Sequence, residues 1–338
     1  MKRRNRFCMI QHSRIERPRI IVSRTLLPAV EARMAQLFDA QFNADDTAMT
    51  REQMAAAMAD CDVFVPTVTD HLDAELIAAA PPRLRLIANY GAGVNHIDIA
   101  AAKAKGIMVT NTPGVFTDDT ADLTMALILS VPRRLGEGEK LMRSGEWGGW
   151  RPSGMLGHRI GGKTLGIVGF GRIGEAVAAR ARAFGMEVIY TKRKRLPHSI
   201  EEQLGVTFEP ELDRLIARSD IVSLHCPLTS ETDKLINAAR IAMMKPSAYL
   251  INSSRGELID ESALIYALQH DKIAGAGLDV YTHEPAVDPR LLTLDNVILL
   301  PHLGSATFEG REASGERVIA NIRMWADGHR PPDQVLDS

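Results

Sequence analysis

Cysteines, an excess of one charge, long apolar runs and repeated segments are all scarce or absent in this sequence, and each absence excludes a class of protein. Only Cys8, Cys61 and Cys226 occur in 338 residues. An odd count without paired spacing excludes a disulfide scaffold and a cysteine-ligated metal centre, and it fits a reducing compartment. No metal site is expected. Forty basic against 42 acidic side chains leave a formal charge of −2, so neither nucleic acid nor an anionic membrane is an expected partner. The longest apolar run, around Ala126 to Val131, falls far short of the ~18 residues that a membrane span requires. No period of 20–50 residues and no low-complexity tract interrupts the chain.

What is present is an ordinary globular mixture, 45% apolar and 24% charged, long enough for two domains. The first residues are basic: Lys2, Arg3, Arg4, Arg6, Arg14, Arg17 and Arg19 stand against Glu16 alone. No apolar stretch follows them, so they do not form a secretory signal. An Arg-rich, acid-poor start is also the composition of a mitochondrial presequence. The expectation is a basic, disordered extension over residues 1–18 on a cytoplasmic protein.

From Arg19 the chain alternates short apolar runs with helical segments. Residues 20–22, 63–65 and 84–88 read as strands, and 49–58 has helical periodicity. Residues 118–130 read as a long helix. Behind it, Trp147 and Trp150 stand in a Gly-rich irregular segment that either packs on its own domain or is covered by a partner subunit or a lid. Then six apolar runs follow at regular intervals: 165–168, 187–190, 221–225, 249–251, 276–278 and 297–300. Helical stretches lie between most of them, clearest at 172–184, with an apolar face of Ile173, Val177, Ala181 and Phe184, and at 261–269. Such alternation predicts parallel, doubly wound α/β sheets.

Gly169-Phe170-Gly171-Arg172-Ile173-Gly174 sits between a strand and a helix. In that context the glycines let backbone amides approach a pyrophosphate, and the helix start adds partial positive charge. The next strand would place a carboxylate on the ribose of NAD. Here it runs instead into Lys192, Arg193, Lys194 and Arg195. Cations suit a 2′-phosphate that a carboxylate would repel. NADP is therefore the expected cofactor, with NAD as the alternative.

Three late strands end in polar loops: Asn252-Ser253-Ser254-Arg255-Gly256, Asp279 to Pro285, and Pro301-His302-Leu303-Gly304-Ser305. Ligands of open α/β sheets bind at such strand ends. An Arg can clamp a carboxylate through two hydrogen bonds, and a His can protonate a carbonyl oxygen as hydride arrives. A neighbouring carboxylate stabilises an imidazolium. Spacing alone leaves unrelated surface polar residues open as the alternative.

Taken together, these stretches resemble the D-isomer-specific 2-hydroxyacid dehydrogenase family, closest to its glyoxylate and hydroxypyruvate reductases, from about Arg19 to beyond Ser305. Asn89 to Asp98 looks like the family's substrate loop, Asn111 to Val115 like its crossover, and His225-Cys226-Pro227-Leu228-Thr229 with Thr232 like its cofactor-edge motif. The resemblance implies two flavodoxin/Rossmann-like doubly wound parallel-sheet domains separated by an active-site cleft. It makes residues 19–118 with 303–330 the substrate domain and 119–302 the NAD(P)-binding domain, and it implies a homodimer through the latter. It further implies that Arg255 binds a small 2-oxo or 2-hydroxy acid, that His302 is the acid/base and that Glu284 orients it. Backbone amides around Ala92 and Gly93 would hold the substrate carboxylate. Asp279 would meet the nicotinamide carboxamide and Thr120 the cofactor. Cys226, Pro227, Thr232, Ser253, Ser254 and Gly304 would complete the cofactor side.

The implied reaction is NADPH-dependent reduction of glyoxylate or hydroxypyruvate. A dehydrogenase for a larger D-2-hydroxy acid (phosphoglycerate, branched or phenyl) and a nucleotide-sensing corepressor-like protein are the alternatives. Formate dehydrogenases share the look of residues 193–197 but pair the His with Gln, so Glu284 argues against that activity.

Overall fold

The structure is a computed structural model and describes residues 15–336. The expected extension over residues 1–18 lies outside the described residues apart from its last four. The chain forms two compact units, one running to Val115 and resuming at Thr307, the other Phe116–Ala306.

The first unit contains β1 (Arg19–Val22), β2 (Asp39–Gln41), β3 (Val63–Val65), β4 (Leu86–Ala88) and β5 (Met108–Thr110). They make one parallel sheet in the order β2-β1-β3-β4-β5. β3 and β4 are buried at every position, the pattern of strands covered on both faces. Helices Pro28–Leu37 and Phe308–Ala326 bury one face through Val30, Met34, Ile319 and Ile322. Helices Arg51–Asp60, Ala74–Ala79 and Ile99–Ala104 cover the other through Met58, Ile77 and Ala102. The far end of the chain returns to this sheet: Thr110 bridges Gln334 and the Val335 N–H donates to Val109 O.

The second unit contains β6 (Thr164–Val168), β7 (Glu187–Thr191), β8 (Val206–Phe208), β9 (Ile221–Leu224), β10 (Tyr249–Asn252), β11 (Gly275–Leu278) and β12 (Val297–Leu299). Their order is β12-β11-β10-β9-β6-β7-β8, with every pairing parallel. This is the doubly wound order with a switch point between β6 and β9. Helices Thr117–Ser130 and Arg172–Ala183 bury one face, and Leu212–Arg218, Ala238–Met243 and Glu261–Gln269 the other. All six expected runs are strands. The seventh, β8, is a three-residue edge strand.

One expected core residue is misplaced. Phe184 caps the helix Arg172–Ala183 and is half exposed, while Val177 and Ala181 carry the buried face. No helix among the described residues is long and apolar enough to cross a membrane.

Candidate active site

Three adjacent strands of the second unit, β10, β11 and β12, deliver Arg255, Glu284 and His302 from their C-terminal ends. The β10 loop is shaped by Asn252, whose buried amide donates to Arg255 O at 2.8 Å and accepts the Ser254 N–H at 3.0 Å. Gly256 lets this loop press against the β11 loop, because a Cβ there would lie 2.0 Å from the Tyr281 carbonyl carbon. Burial pulls the Arg255 guanidinium below its ordinary pKa, against the charges of Glu257 and Glu284.

Glu284 is fixed from both sides. The Tyr281 N–H donates to its Oε1 at 3.0 Å, and His302 Nδ1 lies 2.7 Å from its Oε2. Burial pushes this carboxyl upward, but the His302 hydrogen bond and charge, the Tyr281 N–H and Arg255 bring it below its usual range. The two side chains are about one-third exposed, 34% and 33%. His302 Nε2 has no partner among the described residues, so it is the ring atom left to meet a ligand.

His302 adopts a left-handed backbone with φ +55°, a conformation that costs a non-glycine residue about 1–2 kcal/mol. Asp279 holds it there. Asp279 O accepts the His302 N–H at 2.9 Å, and its carboxylate oxygens accept the next two N–H groups, Leu303 at 2.6 Å and Gly304 at 2.8 Å. Burial raises the Asp279 carboxyl, and those two amides and His302 oppose the rise. Gly304 O in turn accepts the Thr120 hydroxyl at 2.8 Å. Ser253 Oγ and Thr124 Oγ1 lie 2.7 Å apart, and the Ser254 hydroxyl donates to Cys226 O at 2.8 Å. Thr232 closes its own loop by donating to Pro227 O at 2.7 Å.

The glycine loop follows β6. Gly169 has φ +89°, and a Cβ there would lie 2.5 Å from Cys226 N, so only glycine fits. Gly174 packs its helix against the loop, a Cβ falling 2.6 Å from Gly169 O. Gly171 is different: a Cβ on it meets nothing within 4 Å. The protein itself does not require glycine at that position, whereas a pyrophosphate approaching the helix start beside Arg172 and Ile173 does. The residues present therefore fit a dinucleotide.

Beyond β7, Lys192, Arg193 and Lys194 make no side-chain hydrogen bond or ion pair among the described residues. Arg193 lies near enough to Glu231 to hold that carboxyl down, after its hydrogen bonds to Thr229 and its own backbone. Arg195 is employed differently: its Nε and Nη2 donate to Glu201 at 2.9 and 2.7 Å. No sequence motif marks Glu201, one of two adjacent glutamates on the short helix His198–Leu204; its burial becomes legible only in three dimensions.

In the first unit, the loop after β4 carries Ala92 and Gly93. The Asn89 amide donates to Gly91 O at 3.0 Å and Gly93 O at 2.9 Å, and the Asn111 amide donates to Ala92 O at 2.7 Å. His96 Nε2 completes the set 3.0 Å from Asn89 Oδ1. With three successive carbonyls tied inward, the N–H groups of Ala92 and Gly93 are without partners among the described residues. Consecutive unspent amides form an anion-binding concavity. Asn89 and Asn111 both stand in the sequence motifs, but their hold on this loop is visible only in three dimensions. No cluster of His, Cys, Asp and Glu among the described residues could hold a metal ion.

Residues 125–304 match the model of the D-isomer specific 2-hydroxyacid dehydrogenase, NAD binding domain. The chain is 45% identical to the glyoxylate reductase of Thermococcus litoralis over 94% of this chain and 97% of that one. It is 42% identical to the glyoxylate reductase of Pyrococcus furiosus over 94% and 95%. Among solved structures it is similar to an NADPH-dependent glyoxylate/hydroxypyruvate reductase from Sinorhizobium meliloti in complex with NADP and malonate. There the TM-score is 0.84 and the identity 36%, covering 94% of this chain and 97% of that one. A glyoxylate reductase from Paecilomyes thermophila gives a TM-score of 0.84 at 33% identity, over 95% and 99%.

Proposed function

The chain belongs to the D-isomer-specific 2-hydroxyacid dehydrogenase family, NAD(P)-dependent oxidoreductases, and from that premise we propose that it reduces glyoxylate or hydroxypyruvate to the D-2-hydroxy acid with NADPH. The observation that carries the reading is the His302–Glu284 pair, 2.7 Å apart, with Arg255 on the neighbouring strand end.

Bound NADPH supplies the hydride that reduces the carbonyl carbon. Gly169, Phe170, Gly171, Arg172 and Ile173 are assigned to its pyrophosphate, and Lys192, Arg193 and Lys194 to its 2′-phosphate. Thr120, Asp279, Gly304, Ser253 and Ser254 are assigned to the nicotinamide side, and Cys226, Pro227 and Thr232 to the edge. Arg255 binds the 2-oxo acid and polarises its carbonyl. Protonated His302 holds its transferable proton on Nε2 and gives it to the carbonyl oxygen. Glu284 fixes the ring through Nδ1 and offsets the imidazolium charge. The N–H groups of Ala92 and Gly93 are assigned to the substrate carboxylate. On this reading residues 19–118 with 303–330 form the substrate domain and 119–302 the cofactor domain.

The exposure of Trp147 (53%) and Trp150 (81%) favours cover by a partner over packing on their own domain. Helix Leu135–Ser144 beside them buries no residue. This surface is assigned to a second copy, making the enzyme a homodimer, which sedimentation measures directly. The free cysteines Cys61 and Cys226 accord with a cytoplasmic location.

The test follows NADPH and NADH oxidation with glyoxylate, hydroxypyruvate, pyruvate, phenylpyruvate and phosphohydroxypyruvate. Fast NADPH oxidation with the first two is expected. Turnover confined to a bulky or phosphorylated acid would discard the substrate assignment.

A further inference from the structure

The basic turn between β7 and the next helix is built on a buried polar clamp. Glu201, 4% exposed, accepts from Nε and Nη2 of Arg195 and from the Tyr190 hydroxyl, the last at 2.7 Å. The same hydroxyl accepts the Leu196 N–H at 3.1 Å. Arg195 also lies 5.6 Å over the Phe208 ring. At the other end of the turn, Thr191 is the last residue of β7, and its carbonyl accepts the Gly169 N–H at 3.0 Å. Residues 192–194 therefore form a three-residue span pinned at both ends.

The clamp also reaches the glycine loop. Tyr190, wholly buried, packs its ring 4.2 Å from that of Phe170, the residue between Gly169 and Gly171. One side chain thus supports both the turn with the unpaired cations and the loop assigned to the pyrophosphate.

We propose that Glu201, with Tyr190 and Arg195, is a specificity-determining positioning group, which sets the conformation of residues 192–194 and so the preference for a 2′-phosphorylated nicotinamide dinucleotide. The inference rests on the NADPH reading of that turn. A free loop carrying three cations attracts phosphate weakly because its ordering opposes binding; a span fixed beforehand avoids that loss. Arg195 spends its Nε and Nη2 donors on Glu201, whereas the side chains of residues 192–194 make no such bond among the described residues. The divided labour of the four cations, one clamping and three presented, cannot be seen in the basic run itself.

The experiment compares wild type, E201Q, Y190F, R193A and the E201Q/R193A pair by KM for NADPH and NADH, kcat and thermal unfolding. E201Q is expected to raise KM for NADPH about tenfold and KM for NADH less than about twofold, with kcat little changed. In the R193A background, E201Q should add little, because it acts through the same turn. Y190F, which removes one oxygen and keeps the ring, should shift the NADPH/NADH ratio in the same direction and serves if E201Q does not fold. Equal losses for both cofactors, or a lowered unfolding temperature with an unchanged ratio, would reduce the clamp to a structural role and overturn the proposal. If R193A leaves the ratio unchanged, the NADPH reading itself fails and the proposal with it. If R193A shifts the ratio while E201Q and Y190F do not, the clamp alone is refuted.

Discussion

Substituting Gly171 by Ala should separate folding from cofactor binding, and Gly169→Ala provides the contrast. Gly171 caps its helix with φ −100° and ψ −161°, a backbone open to any residue, and an added Cβ meets nothing within 4 Å. Replacing glycine restricts the unfolded chain, a gain of about 0.4–1 kcal/mol. Alanine caps a helix less well than glycine by a similar amount. The net change is therefore within about 1 kcal/mol, or about 3 °C in unfolding temperature for a unit of this size. At Gly169 the backbone has φ +89° and the Cβ would lie 2.5 Å from Cys226 N. Left-handed strain of about 1–2 kcal/mol and overlap of about 1–3 kcal/mol predict a loss of about 2–5 kcal/mol. Thermal unfolding without cofactor reads this difference.

NADPH titration by fluorescence reads the other half. The Gly171→Ala methyl stands at the proposed pyrophosphate site, so the dissociation constant should rise about 10- to 100-fold. A stable Gly171→Ala protein that binds NADPH within about twofold of wild type would refute the placement of the pyrophosphate on this loop.

His302→Ala should abolish 2-oxo acid reduction in steady-state assays while leaving NADPH binding intact; unchanged turnover would remove the acid/base role. Arg193→Ala should weaken NADPH far more than NADH, read as the ratio of dissociation constants, and equal losses would contradict the 2′-phosphate assignment. Burial pushes the His225 imidazole down to about 4. On acidification the unfolded chain takes up that proton first, near its ordinary value of about 6.5. The stabilising contribution of neutral His225 is thus complete above about pH 6.5 and declines towards pH 4. His225→Gln should flatten that decline in urea midpoints measured from pH 7 to 4, and a slope equal to wild type would show that His225 does not cause it.

What could be read from the sequence follows from how much apolar surface each element buries. β6, β9 and β10 are nearly continuous apolar runs because helices cover both their faces. β2, with Asp39 and Gln41 exposed, and the three-residue edge strand β8 carry no such signal. Helix Leu135–Ser144 lacks the signal for the same reason, since none of its residues is buried. At the site, Arg255, Glu284 and His302 were legible as polar residues at strand ends. Their supports were not: Asp279 as a cap for two amides, Asn89 and Asn111 on the substrate loop, and Glu201 under Arg195 depend on contacts that no spacing encodes.

The strand order has a consequence for how this enzyme can be altered. The turn beyond β7 and the loops beyond β10 to β12 lie on opposite sides of β6 and β9. With strands about 4.8 Å apart, β7 and β10 are separated by about 14 Å. Groups that far apart with no shared partner contribute nearly additively. On the proposed assignments, discrimination at the 2′-phosphate and proton transfer to the substrate are thus carried on separable halves of one sheet. A redesign of the 2′-phosphate turn need not disturb the proposed His302–Glu284 proton transfer, and the two can be optimised in parallel and then combined.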